Sequence, residues 1–402
     1  MLLVRVAETP RSPNRPYNNR RRRVMKNVVI AGYARTPFHF ARKGALSRVR
    51  PDALAASVVR GLIERTGVKP EDIEDLIVGC AFPEGEQGFN VARLIGFLAD
   101  LPLSVAGVTV NRFCGSSMQS IHMAAGAIQL DAGEVFICAG TESMSRVPMG
   151  GFNPMPNPQL YESYPAAYMG MGETAENVAQ KYQLSREEQD LFAVRSHRLA
   201  GEAQAAGRLR DEIVPVQAGD TIVSRDGCIR ADTSAQALAG LKPAFLADGT
   251  VTAGTSSPLT DGASAVLITT EEYALRNGLE PLARIKSVAV AGCAPEIMGM
   301  GPLHASTKAL ARAGISADEL DVVELNEAFS SQAIASIREL GIDPEKVNLD
   351  GGAIALGHPL GATGARITGK AAAVLKREGA RYALASQCIG GGQGIATVLE
   401  AL

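Results

Sequence analysis

The sequence predicts an α/β protein built from two related halves with a loop-rich insertion. Apolar runs typical of strands alternate with amphipathic helical segments before residue 146 and again after residue 259, as in parallel strand–helix–strand units. Each half also repeats the order strand, reactive residue, helix, strand. Residues 146–258 instead contain clustered prolines and Gly- and Asp-rich turns, which favours a lobe outside the sheet.

Length and composition exclude several classes of protein. The 402 residues suffice for about two to three domains, and 46% apolar against 20% charged residues is an ordinary globular balance. No apolar run approaches the roughly 18 residues that a membrane span needs, so we expect no membrane insertion. Aromatic residues make up only 5% and tryptophan is absent, which argues against nucleic acid as a partner.

Residues 1–24 differ in charge from the rest of the chain. They contain seven arginines against one glutamate, a balance of +6, so the net charge of -2 leaves -8 for the remainder. With three prolines and no apolar periodicity, they are expected to form a disordered Arg-rich extension, and Met25 to open the functional chain. Arg-rich, acid-poor segments also occur in transit peptides, so targeting stays open beside a cytoplasmic location.

The six cysteines are predicted to be free thiols. They lie far apart, without a Cys-x-x-Cys pair or clustered histidines, so a metal site is not expected. Without a secretory signal, a disulfide framework is not expected either. Most should pack as small apolar residues, and one or two are candidates for reactive thiols.

Short apolar runs bounded by turn residues predict strands, and apolar residues at helical spacing predict helices. In the first half these are strands at 27–31, 76–79, 108–110 and 134–139 and helices at 53–66 and 116–130. A polar helix at 185–206 follows inside the insertion. In the second half the order is a strand at 347–349, a helix at 361–377 and a strand at 382–386.

Three reactive side chains follow predicted strands. Cys114 lies in Asn111-Arg-Phe-Cys-Gly-Ser-Ser, His358 in Gly357-His-Pro-Leu-Gly-Ala-Thr-Gly, and Cys388 in Cys-Ile-Gly-Gly-Gly-Gln-Gly. Because ligands bind at the carboxyl ends of parallel strands, one fold can bring all three to a common face.

Cys114 is the candidate nucleophile. It opens a predicted helix, whose N-terminus is expected to lower the thiol pKa, and backbone N–H groups there are suited to an oxyanion hole. His358 is a candidate base, and Cys388 a candidate acid or base. On these grounds alone, structural cysteines and an ordinary surface histidine stay open as alternatives. The segment Gly364–Lys370 is spaced like a phosphate loop but lacks the final Ser or Thr, so a nucleotide loop is not expected.

Together with Asn326-Glu-Ala-Phe, these motifs resemble the thiolase family from about Asn27 to the end of the chain. The resemblance implies two duplicated α/β halves in a layered α-β-α-β-α arrangement with an inserted loop domain. It places the first half at 25–145, completed by 259–282, the loop domain over the CoA site at 146–258, and the second half at 283–402.

The resemblance also implies a division of catalytic roles. Cys114 matches the acylated nucleophile, His358 the base that activates it, and Cys388 the residue that moves the proton at the acetyl α-carbon. Asn326 matches the residue that holds a water, which stabilises the enolate oxygen together with His358. The backbone N–H groups of Cys114 and Gly390 match a second oxyanion hole.

Coenzyme A is implied as a substrate, with no permanently bound cofactor. The implied partners are acyl-CoA and CoA, and the implied assembly is a homodimer or a homotetramer. The implied contacts to CoA and its acyl group are Met171, Arg230, Phe245, Ala253, Ser257, Ala328 and Phe329.

The implied activity is thiolytic cleavage of a 3-ketoacyl-CoA by CoA to acetyl-CoA and a shortened acyl-CoA, as in fatty-acid β-oxidation. Gly170, where acetoacetyl-CoA-forming members often have His, and the segment 256–263 favour this degradative branch. A biosynthetic thiolase that condenses two acetyl-CoA is the main alternative. A non-thiolytic condensing enzyme would lack the second cysteine, and a mere acyl-CoA-binding protein would not need all three reactive residues, so Cys388 argues against both.

Overall fold

The computed structural model describes residues 25–402, and the extension predicted at residues 1–24 lies outside the described residues. Within this range the strands are β1 (Val28–Arg35), β2 (His39–Phe40), β3 (Asp75–Gly79), β4 (Ala106–Val110), β5 (Val135–Ser143), β6 (Val216–Ala218), β7 (Thr221–Val223), β8 (Thr260–Thr270), β9 (Ala283–Gly292), β10 (Val322–Leu325), β11 (Tyr382–Ile389) and β12 (Gln393–Glu400). The α-helices are α1 (Pro51–Thr66), α2 (Val91–Leu98), α3 (Ser116–Gln129), α4 (Pro158–Ser163), α5 (Met171–Lys181), α6 (Arg186–Ala205), α7 (Ala235–Ala239), α8 (Glu271–Arg276), α9 (Gly301–Ala313), α10 (Ser330–Leu340), α11 (Ala353–Leu356) and α12 (Leu360–Glu378). Short 3-10 helices occupy Pro70–Asp72, Gly85–Gln87, Pro165–Tyr168, Pro295–Met300 and Pro344–Lys346. None of the helices in the described range is long and apolar enough to cross a membrane.

One continuous sheet has the strand order β10-β11-β12-β9-β1-β8-β5-β3-β4, with β2 paired to β8. Pairing is parallel for β3 with β4, β3 with β5 and β10 with β11, and antiparallel for the other pairs of this sheet. The two halves of the sheet meet at β1 and β9, which share the pairs Val29–Arg284 and Ile30–Ala283. Strands β6 and β7 pair with each other and lie outside this sheet.

Two helices lie between the halves of the sheet. Met118 and Ile121 of α3 and Ala365 and Ile367 of α12 belong to one buried apolar cluster with side chains from strands of both halves. Helices α1 and α2 cover the outer face of the first half, and α9 and α10 cover that of the second. The layering is therefore α-β-α-β-α, and the predicted α/β fold class is confirmed.

The strand predicted at residues 347–349 is wrong. This segment contains a single bridge, between Val347 and Val323. The chain turns away because Asn348 has a φ of +51° and its side chain bonds both the N–H and the C=O of Leu325. These bonds replace the ladder that a longer strand would form.

Cys388 lies inside a strand, whereas the sequence predicts it beyond a strand end. Strand β11 is longer than predicted because its antiparallel ladder with β12 extends as far as the pair Ile389–Gln393. The thiol is consequently held on the sheet, just before the glycine turn that begins at Gly390.

The N-terminal ends of α3 and α12 contact each other with almost no side chain between them. A Cβ atom at Gly364 of α12 would lie 2.3 Å from the backbone nitrogen of Met118 in α3. The Ser117 hydroxyl accepts a hydrogen bond of 2.8 Å from the Ala365 N–H. Glycine at position 364 therefore permits an approach that places the residues preceding the two helices close together.

A buried chain of ion pairs joins the first half, the insertion and the second half. Arg35 of β1 is fully buried and contacts Asp226 and Glu212 of the insertion, both at 2.7 Å. Lys370 of α12 contacts Glu212 at 3.0 Å and Asp350 at 2.8 Å. Because breaking a buried pair leaves an uncompensated charge, these contacts fix the three segments relative to one another.

We expect Gly364→Ala to lower the free energy of unfolding by about 1–3 kcal/mol or more, because its Cβ overlaps the Met118 backbone. Gly96→Ala in α2 is the matched control, since its Cβ would meet its nearest neighbours at 3.9 Å. That control should gain about 0.5–1 kcal/mol. Urea denaturation of both variants measures the difference, and equal stabilities would contradict the close contact of α3 and α12.

Candidate active site

The structure brings Cys114, His358 and Cys388 to one site where α3, α12 and β11 meet. The Gln387 side-chain amide donates to the Cys114 carbonyl oxygen, and the Gly390 N–H is near enough to the Cys114 sulfur to lower the thiol pKa. These two contacts tie the turn before α3 to the end of β11. The residues that the sequence predicts at a common face are therefore neighbours.

Cys114 is half-buried, and burial raises the pKa of its thiol to about 11. The Glu142 carboxylate also raises this pKa, whereas the N–H groups of Gly390 and of Cys114 itself lower it. The prediction of a lowered thiol pKa at the helix N-terminus is wrong, because desolvation outweighs the stabilisation by N–H groups. The resting residue is a thiol, which needs a base before it can attack.

His358 is a neutral imidazole with one nitrogen available as that base. Burial, together with the charge of Arg366, lowers its pKa to about 3. Its Nδ1 lies 2.6 Å from the Thr363 hydroxyl, which itself donates to the Pro359 carbonyl oxygen. Since Thr363 has one hydroxyl proton, its oxygen accepts from an Nδ1–H, and the lone pair of the ring is on Nε2.

The wall beside Cys114 is apolar and includes the first residue of the helix that follows His358. Ala41, Ala81 and Leu360 pack together with Cys114 in one cluster. This wall can accept the alkyl part of an acyl group without leaving polar groups unpaired.

Asn326 connects the base to the strand of the second cysteine. Its backbone N–H donates to the Ser386 carbonyl oxygen of β11, and its Nδ2 lies 3.4 Å from His358 Nε2. Its Oδ1 is buried and has no hydrogen-bond partner within the described protein. This oxygen can therefore accept a hydrogen bond from a water or a ligand.

Cys388 has 1% of its surface exposed and packs against Ala328, Phe329 and Met171. Burial raises the pKa of its thiol well above the ordinary value, and the nearby Cys114 raises it further. A thiol with a pKa raised in this way keeps its proton until a stronger base, such as an enolate carbon, comes within reach of it. Within residues 25–402, no group of three or more His, Cys, Asp and Glu side chains is arranged to hold a metal ion.

The inner part of the predicted CoA site leads to these thiols. Phe245 packs edge-on against Phe329 with ring centroids 5.8 Å apart. The Ser257 N–H donates to the Ala328 carbonyl oxygen at 2.9 Å. A Cβ atom at Gly390 would lie 3.5 Å from the Met171 sulfur. Side chains and backbone of the insertion therefore pack against residues of the second half beside the two thiols.

The outer part of the predicted CoA site is a cavity of about 50 Å³. Arg230, Ala253, Phe40 and His197 line it. The Arg230 guanidinium lies 5.1 Å from the centroid of the Phe40 ring, which is the range of a cation–π contact. Within residues 25–402 no carboxylate forms an ion pair with this guanidinium, which suits it to an anionic group such as a phosphate.

Sequence reasoning misses two side chains that hold this site. Thr363 fixes the tautomer of His358, and its position five residues later in the same Gly-rich motif was the available signal. His197 accepts a hydrogen bond at Nδ1 from the Arg230 N–H at 3.1 Å, and burial lowers its pKa to about 4. No local pattern distinguishes His197, because its partner is distant in the chain.

Comparisons with known proteins agree with this geometry. The family model "Thiolase, N-terminal domain" matches residues 28–272, and "Thiolase, C-terminal domain" matches residues 279–401. The 3-ketoacyl-CoA thiolase of Bacillus subtilis (strain 168) is 50% identical over 389 residues, which are 94% of this chain and 100% of that relative. The 3-ketoacyl-CoA thiolase of Marinobacter nauticus is 47% identical over 386 residues, 93% of this chain and 98% of that relative.

Two solved structures superpose on the chain with a TM-score of 0.87. The Bacillus anthracis acetyl-CoA acetyltransferase is 41% identical, covering 94% of this chain and 100% of that one. The human mitochondrial 3-ketoacyl-CoA thiolase in complex with CoA is 38% identical, and the match covers 94% of this chain and 98% of that one. The fold and site define a class of two-half α/β proteins with a paired-cysteine centre. The chain belongs to the thiolase family.

Thr363→Val removes the acceptor of the His358 Nδ1–H while nearly preserving side-chain shape. We expect it to lower the rate of Cys114 acylation by about 10- to 100-fold, because the imidazole loses the bond that fixes its tautomer. Thr363→Ser keeps the hydroxyl and should stay within about threefold of the original rate. Stopped-flow measurement of the acylation burst gives the rate for each variant. Equal rates for Thr363→Val and Thr363→Ser would contradict the role of the hydroxyl.

Proposed function

We propose that the protein is an acetyl-CoA C-acyltransferase that cleaves 3-ketoacyl-CoA with CoA to acetyl-CoA and a shortened acyl-CoA. The observation that carries the proposal is the convergence of a nucleophilic thiol, a neutral imidazole with an unprotonated Nε2 and a second buried thiol. The printed name of the Bacillus subtilis relative, 3-ketoacyl-CoA thiolase, supports the same activity. Coenzyme A is the second substrate, and the proposal includes no permanently bound cofactor.

The first half of the reaction transfers the acyl group to the enzyme. His358 Nε2 accepts the Cys114 proton as the sulfur attacks the 3-keto carbon, forming a C–S bond. The N–H groups of Cys114 and Gly390 point at this sulfur and are placed to stabilise the oxygen that becomes negative. Cleavage of the carbon–carbon bond then leaves acyl-Cys114 and the enolate of acetyl-CoA.

The enolate determines what the remaining residues do. Its oxygen needs hydrogen-bond donors, which Asn326 Nδ2 and the protonated His358 supply directly or through a water. Its carbon needs a proton, which the Cys388 thiol supplies. After acetyl-CoA leaves, the thiol of a new CoA gives its proton to the Cys388 thiolate and attacks acyl-Cys114. The C–S bond to Cys114 then breaks, His358 returns its proton to the Cys114 sulfur, and the shortened acyl-CoA is released.

We propose that CoA lies along the cleft between the insertion and the second half. Arg230, with Ala253 beside it, is placed for the nucleotide end, and Ser257 for the pantetheine arm. Met171 and Phe329 are placed around the thioester. The human mitochondrial relative was solved in complex with CoA, which supports CoA binding by this fold.

The degradative direction is favoured over the condensation of two acetyl-CoA. Gly170 is exposed, and a Cβ atom there would meet nothing nearer than 3.7 Å, so the entrance has room for a longer acyl chain. The printed name of the Bacillus anthracis relative, acetyl-CoA acetyltransferase, keeps the condensing enzyme as the second candidate. The same catalytic residues serve both directions, so substrate length separates the two.

The test is a series of 3-ketoacyl-CoA substrates of increasing chain length, followed by loss of the enolate absorbance in the presence of CoA. We expect kcat/KM for six-carbon and longer substrates to exceed that for acetoacetyl-CoA. Activity confined to acetoacetyl-CoA would favour the condensing enzyme, and no activity with any member would contradict the proposed function.

Two variants serve as comparators in this assay. Cys114→Ser should lose nearly all activity and should form no acyl-enzyme detectable by mass spectrometry, because a hydroxyl is far less acidic than a thiol. Cys388→Ser should still form acyl-Cys114 from a simple acyl-CoA but cleave 3-ketoacyl-CoA poorly. If Cys388→Ser lost both steps to the same degree, its proposed role as the proton donor would be wrong.

We also propose that the chain assembles as a homodimer in the cytoplasm, where CoA thioesters are made and consumed. Strand β4 ends the sheet, and Phe89 and Leu103 beside it are 93% and 80% exposed. A second copy would cover both the edge and these side chains. Sedimentation should give twice the chain mass of 42.1 kDa, and Phe89→Asp should shift the protein toward monomer. A monomer without the substitution would contradict the dimer.

A further inference from the structure

Glu142 is a buried carboxylate that no step of the proposed reaction uses. It is the penultimate residue of β5 and has 1% of its surface exposed. Among the described residues, no lysine or arginine forms an ion pair with it. A buried charge without a counter-ion is costly unless several hydrogen bonds satisfy it, so the presence of a carboxylate at this position needs an explanation.

Glu142 is held mainly by N–H donors, with the Cys80 thiol as a weaker donor to Oε1 at 3.8 Å. Oε2 accepts from the N–H groups of Ala81 at 2.8 Å and Gly361 at 2.9 Å. Oε1 accepts from Gln87 Nε2 at 2.8 Å and from the Phe82 N–H at 3.4 Å. Burial raises the pKa of Glu142, and the N–H groups of Ala81, Gly361 and Phe82 and the Gln87 amide oppose that rise. Since an ionised carboxylate is an acceptor at every lone pair, these donors favour the charged form.

One side of this network is α12, the helix that follows His358. Gly361 lies in the first turn of α12, where backbone N–H groups have no partner within the helix. Glu142, from the other half of the molecule, accepts one of them. A Cβ atom at Gly361 would lie 2.8 Å from Oε2, so only glycine lets the carboxylate approach this turn.

The other side of the network is the wall of the nucleophile. Ala81 and Phe82 pack together with Cys114. The Phe82 ring also lies 5.9 Å from that of Phe113, which precedes Cys114 in the chain. Glu142 therefore bonds both the turn after His358 and the segment against which Cys114 rests.

We propose that Glu142 is a positioning residue, whose single carboxylate helps to set the separation of Cys114 from His358 and whose charge adds to burial in keeping Cys114 a thiol until His358 removes the proton. The inference rests on the proposed acyl-cysteine chemistry. It assigns to Glu142 a geometric effect, which the length of its side chain determines, and an electrostatic effect, which its charge determines.

The electrostatic effect follows from the groups that face Cys114. These are Glu142 from β5, His358 before α12, Cys388 from β11, and Arg112 on the same turn, whose guanidinium donates to Gln393 Oε1. His358 and Cys388 are neutral near pH 7. The negative charge of Glu142 opposes a second negative charge on the sulfur, so thiolate forms only as the proton moves to His358.

Glu142→Gln tests the charge, and Glu176→Gln is its matched control. Glu176 is 6% exposed and also accepts from backbone N–H groups, those of Thr250 at 2.9 Å and Val251 at 3.0 Å. Both variants should lose thermal stability. Only Glu142→Gln should shift the pH midpoint of Cys114 alkylation by iodoacetamide to lower pH, by about half a unit or more. An equal midpoint in both variants and the unmodified protein would overturn the electrostatic effect.

Glu142→Asp tests the geometry and decides the proposal if the Gln variant does not fold. It keeps the charge but shortens the side chain, so the alkylation midpoint should stay near the original value. Because small misplacements of reacting groups are costly, kcat should fall about 10-fold or more while KM for CoA changes little. An unchanged kcat would overturn the positioning role.

Mass spectrometry of the unmodified protein after a substrate pulse is done first, because absence of acyl-Cys114 there would contradict the proposed function itself.

Discussion

The contact between α3 and α12 is the constraint on which the active site depends. Each helix begins two residues after a reactive residue, and each comes from a different half of the chain. Gly364 against Met118, and Gly140 against the Gly361 carbonyl, leave no space for a Cβ atom between the halves. Backbone packing therefore fixes the two helices relative to each other, and side-chain motion cannot relax this contact.

This packing also decides the protonation states. Burial raises the pKa of Cys114 to about 11 and lowers that of His358 to about 3, so the resting pair is a thiol and a neutral imidazole. Charge appears in the site when substrate is present, and the N–H groups of Cys114 and Gly390 are already oriented toward it. A site of this kind stabilises developing charge with little reorganisation, and its resting thiol is less open to unwanted reaction with electrophiles than a thiolate would be.

Local pattern and motif order predicted much of the fold and the identity of the site, because strands, helices and Gly-rich turns are encoded over a few residues. What failed depends on contacts between distant segments. The length of β11, and so the place of Cys388, depends on pairing with β12, and the thiol pKa of Cys114 depends on burial by both halves. The hydrogen bond from the Arg230 backbone N–H to His197 Nδ1 could not be predicted either, because the two residues are distant in the chain.

The insertion belongs to the catalytic machinery as much as to the CoA cleft. Its Glu212 bonds Arg35 of the first half and Lys370 of the second through fully or nearly fully buried groups, so the insertion cannot swing away without exposing unpaired charges. It contributes Met171 beside Gly390 at the thiols and Arg230 at the outer cavity. The residues that we propose to contact CoA are thus carried on a segment whose position is fixed before CoA binds, which keeps the ordering cost of association small.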